Sequence, residues 1–136
     1  MARDPITVAT SLLRALEAGH RGEDLRKYFA PTASTTEHPN RLKPEGARTT
    51  LDRMLAASEA GAGLLSSQRY DVRSAVAVGD TAILRLTWSG VIARDADPFR
   101  HGDELVAHIA QFVETAGGLI TSIETFDCYE PFDTQP

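Results

Sequence analysis

Residues 104–130 constrain this chain more than any other stretch. The runs ELVAHIAQFVETA and LITSIETFDCYE are rich in β-branched and aromatic residues, and only Gly117-Gly118 separates them. Two glycines between strand-like runs favour a two-residue hairpin, because primed turns need positive φ and match strand twist. Such a turn sets the register. Ala116 then opposes Leu119, Phe112 opposes Ile123, Ala110 opposes Thr125, and His108 opposes Asp127. Opposed residues share one face of a sheet, with Cβ atoms roughly 4.5–5.5 Å apart. Both faces of the first run are apolar: Val106, Ala110 and Phe112 on one, Leu105, Ala107, Ile109 and Val113 on the other. A half-exposed antiparallel strand would alternate with polar residues. Helices are therefore expected on one face and a second copy of the chain on the other, giving a homodimer built sheet to sheet.

The earlier elements follow from period and punctuation. Asp4-Pro5 starts a helix through Ile6, Ala9, Leu12, Leu13 and Leu16, and Gly19 stops it. A short second helix is expected over 23–30, then a strand over 33–39 and a loop over 40–48. Thr49 with Asp52 resembles a capping box for a third helix through Leu51, Met54, Leu55 and Ser58. From Tyr70 the period becomes two, and YDVRSAVAVGDTAILRLTWSGVIA reads as two strands joined at Gly79-Asp80. Helices around one early strand, followed by a long antiparallel sheet, make an α+β chain. Its 136 residues suit one domain spanning 1–136.

Composition excludes several classes of function. Fourteen basic residues are scattered among nineteen acidic ones, for a net charge of −5, so no nucleic-acid partner is expected. No apolar run approaches membrane-spanning length, and the opening MARDPITVATSLL lacks the segments of a secretory signal. With a single cysteine, Cys128, a reducing cytoplasmic location is expected. The four histidines, His20, His38, His101 and His108, show none of the HxH, HxxxH or HExxH spacings, so no metal centre is expected.

LLRALEAG, YFAPTASTTEHP, ELVAHIAQFVETAGGLI and the ending FDCYEPF together carry a family likeness. The chain resembles the nuclear-transport-factor-2-like superfamily, in particular its SnoaL-like branch of polyketide cyclases and ketosteroid isomerase-like proteins. The resemblance covers nearly the whole chain. It implies a cone-shaped, curved antiparallel sheet wrapped around N-terminal helices, with a pocket between them and no metal or cofactor. It also implies that Val106, His108, Ala110 and Phe112 face the pocket. The departures are informative. His38 stands where ketosteroid isomerases carry an aspartate base, and Leu12 and Ala110 stand where they carry oxyanion donors, so steroid isomerisation is not expected. Of the Asp-Arg-Asp set of limonene epoxide hydrolases, only Asp127 has a match.

Register and resemblance together place His108 beside Asp127 on the pocket wall. A carboxylate beside an imidazole fixes its tautomer and makes an acid–base pair, although buried pairs are also used structurally. The resemblance puts His38 at the pocket mouth as a second base, while alternation turns Glu37 and Cys128 away. Trp88, Phe112, Thr125 and Tyr28 are the candidate substrate contacts; core packing is the commoner use of a stripe such as Trp88 with Leu84 and Leu86, and Tyr28 serves equally as a cap on the core. The expected function is a cofactor-independent lyase, isomerase or cyclase acting on a small, largely apolar molecule. The alternative is a non-catalytic ligand-binding or dimerisation module on the same fold.

Overall fold

Asp4 caps the first helix as the sequence predicts, its carboxylate accepting from Thr7 N at 2.9 Å. A computed structural model describes residues 4–132 of the chain. Helix α1 (Pro5–Glu17) buries Val8, Ala9, Leu12, Leu13 and Ala15. Each fully buried leucine contributes roughly 1.5–3 kcal/mol of transfer free energy. The expected second helix is a 3₁₀ turn, Gly22–Tyr28, and Phe29 is already strand. Pro31 explains this, because it drives Ala30 out of the helical region. Strand β1 (Phe29–Glu37) leads through a loop to β2 (Ala47–Thr50) and α2 (Leu51–Ala60). Ala47 and Arg48 of β2 were expected as loop, and Thr49 and Thr50 as the start of the third helix; four residues are too few for a periodic signal. Thr50 rather than Thr49 caps α2, accepting from Arg53 N at 3.5 Å.

Strands β3 (Leu65–Val78), β4 (Thr81–Ile92), β5 (Glu104–Ala116) and β6 (Leu119–Tyr129) complete a six-stranded sheet of order β2-β1-β6-β5-β4-β3. The sheet is mixed, since β1 runs parallel to β6 and the other neighbours are antiparallel. Register shifts in β3 and between β5 and β6 mark bulges, which bend strands and sharpen their twist. The curved sheet wraps α1 and α2. Leu84 and Leu86 of β4, Val113 of β5 and Ile120 and Ile123 of β6 meet the helices in one core.

Gly117 and Gly118 form the expected turn, with φ of +59° and +82°, and Ala116 does oppose Leu119. The register then changes. Thr115 pairs with Ile120 but Glu114 pairs with Ser122, so Thr121 is an extra residue on β6. Every later pair is displaced by one: Phe112 opposes Glu124, Ala110 opposes Phe126, His108 opposes Cys128, and Asp127 opposes Ile109. A one-residue slip moves side chains to the other face of a sheet. His108 and Asp127 therefore lie on opposite faces. The inner, helix-covered face of β5 carries Leu105, Ala107, Ile109, Gln111 and Val113; the set Val106, His108, Ala110 and Phe112 faces outward.

Candidate active site on the inner wall of the sheet

The same parity sorts the whole candidate set. Thr125, Asp127 and Tyr129 of β6 face inward with Ile109 and Gln111. Parallel pairing sets Glu37 beside Thr125 and Thr36 beside Glu124, so Glu37 is inside and His38 outside. This reverses the expectation for both residues. Glu37 is held in place by the loop that follows it. Asn40 donates through Nδ2 to Glu37 Oε2 at 2.8 Å and accepts from the backbone N of Leu42 and Lys43 at 3.0 and 3.1 Å. That turn brings Lys43 Nζ to 3.4 Å from Glu37 Oε1.

Asp127 sits next to this ion pair. Thr125 donates through Oγ1 to Asp127 Oδ1 at 2.5 Å, a contact that alternation permits because i and i+2 share a face. Burial pushes the Asp127 carboxyl above the ordinary carboxylate range. The Thr125 hydrogen bond opposes that rise, the Glu37 charge adds to it, and the Lys43 charge opposes it. Tyr129 and Tyr70 are raised as well, first by burial and then by the negative charge of Asp127, so both stay hydroxyl donors at any working pH. Trp88 completes the inner wall. Its indole Nε1 donates to Gln68 Oε1 at 2.9 Å, and its ring meets Tyr129 edge-on, 6.2 Å between centroids. A cavity of about 250 Å³ opens between β1, β2, α2 and β6, lined by Thr35, Glu37, Lys43, Met54, Ile123 and Thr125 among others.

The remaining candidates lie elsewhere. His108 is exposed on the outer face, with Nε2 2.8 Å from Glu130 Oε2. His38 Nε2 lies 2.7 Å from Glu124 Oε2, and its ring stacks on Phe126 at 4.2 Å. Phe112 meets Phe126 edge-on at 6.0 Å on that same face. Cys128, turned away from the inner wall as alternation predicts, is exposed there too. Tyr28 packs partly buried against the core, with the Lys27 ammonium 5.6 Å from its ring centroid. A larger, open hollow of about 470 Å³ lies on the outer face, lined by Arg73, Arg85, Thr87, His108, Phe126 and Cys128 among others. It is distant in parity from the carboxylates, and the inner wall is where charge is desolvated. Among the described residues no group of three or more His, Cys, Asp or Glu is placed to hold a metal ion.

The SnoaL-like domain model matches residues 9–123, most of the chain. The chain belongs to the SnoaL-like domain family. No curated protein matches this SnoaL-like chain by sequence. Solved structures do match. IdmH of Streptomyces antibioticus, a proposed polyketide cyclase, superposes with a TM-score of 0.74 at 17% identity, covering 92% of both chains. AclR of Streptomyces galilaeus, a proposed hydroxylase, gives 0.72 at 13% identity, covering 90% of this chain and 77% of its own. A phenazine biosynthesis-related protein of Pseudomonas aeruginosa gives 0.68 at 9% identity, covering 90% and 78%. At such identities the likeness is one of fold. No described helix of the SnoaL-like chain is long and apolar enough to cross a membrane.

Proposed function

We propose that this SnoaL-like chain is a proton-transfer enzyme, a lyase, isomerase or cyclase that uses inner-wall carboxyl groups and no cofactor. The observation that carries this reading is Asp127, a half-buried carboxyl that accepts from Thr125 and is shifted upward by burial, beside the ion-paired Glu37. Two carboxyl groups in unlike surroundings divide the work of acid and base. Asp127, the carboxyl whose pKa is raised, donates a proton to a developing oxyanion or leaving group, and Glu37 accepts one. Thr125 orients the Asp127 carboxyl, Lys43 tempers both groups, and Trp88 walls the interior.

The cavity of about 250 Å³ holds roughly eight water volumes, which suits a small molecule. Met54, Ala57 and Ile123 give it an apolar side, in keeping with a largely apolar substrate. The cyclase assignment proposed for IdmH belongs to the same class of chemistry. A non-catalytic binding module is the second reading. Within that reading, which covers ligand binding or dimerisation, a volume below the ~300 Å³ lower end of ordinary ligand sites favours dimerisation. The working form is a homodimer packed through the outer face, where Phe126, Val76 and Val78 stand exposed. The proposed setting is the cytoplasm, in keeping with one exposed free thiol.

The test is incubation of the protein with a small-molecule metabolite extract, followed by mass spectrometry for compounds consumed. Asp127→Asn and Glu37→Gln should each cut turnover by roughly 10²-fold or more, while His108→Gln should retain it. Full turnover by the Asp127→Asn, Glu37→Gln double variant would remove the proposed acid and base. Binding without turnover in the native protein would select the second reading.

A further inference from the structure

Three segments meet beyond one end of the sheet. β1 and β6 run parallel, and β4 runs with them because β5 is antiparallel to both of its neighbours. The loop after Glu37, the loop after Ile92 and the chain after Tyr129 therefore leave the sheet at the same end. Each contributes to one open hollow of about 510 Å³, lined by Arg41, Leu42, Pro98, Phe99 and Phe132. Small-molecule sites span roughly 300–1,000 Å³. Local chemistry sets the walls. Asn40 Oδ1 accepts from Leu42 N and Lys43 N, which turns the chain sharply at Arg41-Leu42. Lys43 is carried back to Glu37, while Arg41 and Leu42 stay exposed at the tip. On the second loop Ala96 and Phe99 exchange both backbone hydrogen bonds, at 2.9 and 2.7 Å, so Pro98 and Phe99 sit on a tight turn. Phe132 joins the two loops: its ring meets Phe99 edge-on, 5.3 Å between centroids, and Arg41 Cζ stands 5.0 Å from its centroid. Walls already held in place lower the ordering cost of binding.

The hollow pairs an apolar wall with a single cation. Arg41 is the only charged residue in its described lining. Phe132 attracts the guanidinium through its ring quadrupole but offers it no lone pair. Among the described residues no carboxylate is ion-paired with Arg41, so the planar fork of donors that matches a carboxylate is left unused. The acids of the second loop do not compete for it. Asp95 accepts from His101 N at 2.8 Å, Asp103 accepts from Arg100 N at 2.9 Å, and Asp97 is not part of the lining. We propose that this hollow is a binding site for a small planar aromatic carboxylate. The carboxylate takes the Arg41 fork, and the ring lies against Leu42, Pro98 and Phe99. One guanidinium matches one negative charge. The site is separate from the inner-wall carboxyl groups and does not depend on the proton-transfer reading.

The experiment titrates 2-naphthoate into the full chain, with 2-naphthylmethanol as its neutral counterpart, by calorimetry and by amide NMR. Circular dichroism confirms that each variant is folded. 2-Naphthoate should bind at least about tenfold more tightly than the alcohol, the worth of a charge-assisted fork. It should shift the amide signals of Leu42, Phe99 and Phe132. Arg41→Gln should bring the two ligands to within about twofold of each other, whereas Phe99→Ala should weaken both alike. Arg41→Lys, which keeps the charge and loses the fork, should cut the preference by about threefold or more, and it serves if Arg41→Gln does not fold. Asp127→Asn should leave 2-naphthoate binding within about twofold of native, which separates this hollow from the inner wall. Equal affinity of the native chain for both ligands overturns the proposal. So does a 2-naphthoate dissociation constant weaker than about 5 mM, a preference that survives loss of Arg41, or shifts confined to the inner wall around Lys43.

Discussion

Gly90→Ala tests how the inner wall is held, because the glycine leaves the space that the indole of Trp88 occupies. A Cβ built on Gly90 would lie 2.6 Å from Cζ2 and 2.8 Å from Cη2 of Trp88, and 3.2 Å from Cδ2 of Leu65. The indole is a rigid plate, so the whole ring must rotate or β4 must shift. Rotation gives up the hydrogen bond to Gln68, about 1 kcal/mol net. It also loses the edge contact with Tyr129, roughly 0.5–1.5 kcal/mol. Keeping the ring in place costs about 1–3 kcal/mol of overpacking instead. Either route predicts a loss of about 2 kcal/mol, which for a chain of this size lowers Tm by roughly 6–10 °C. Urea and thermal unfolding measure that loss. Trp88 is the only tryptophan, so its emission maximum reports directly on ring displacement. A variant within ~0.5 kcal/mol of native and with unchanged emission would refute the claim that Gly90 seats the indole.

Asp127→Asn should stabilise the fold at neutral pH. The folded pKa of Asp127 is raised, so its contribution is fully present below the unfolded value near 3.8 and is lost as pH rises through the folded one. The Tm advantage of the variant should therefore grow above that window and shrink near pH 3; an advantage largest at pH 3 would contradict the shift. Leu84→Ala, in the core under α1 at 1% exposure, should cost about 2–5 kcal/mol by denaturant titration, and a cost under about 1 kcal/mol would mean the two layers are not packed there. His108→Gln, on the exposed outer face, should change the stability of the isolated subunit by less than about 0.5 kcal/mol. A loss several times larger would indicate a buried partner that the geometry does not contain.

The α+β layout, the first helix and both tight hairpins were legible because each rests on local chemistry: a cap, a period, a glycine turn. The site was not, and the reason is one residue. Thr121 is extra on β6, and the turn residues that set the start of the register carry no information about it. A signal was nevertheless present. Ile120 and Ile123 are both buried, at 0% and 8% exposure, yet they are three apart, which a straight strand cannot place on one face. An odd spacing of core residues within a strand is the mark of a bulge. Asp127 was expected on the inner wall and lies there; reading the bulge would have put His108 on the face opposite to it. On β1 the inward set was misread because a resemblance, rather than the parity of Ala33, Thr35 and Glu37, placed His38. Glu37 was missed for the same reason, and Lys43 because the Asn40 turn that carries it back is a loop contact.

Titration of the Asp127 carboxyl by ¹³C NMR tests the central claim most directly. It should ionise above the ordinary value of 3.8, shift down in Glu37→Gln, shift up in Lys43→Met, and stay fixed in His108→Gln. An Asp127 that titrates at or below the ordinary value, or that responds to His108 but not to Glu37, would contradict an acid–base site on the inner wall.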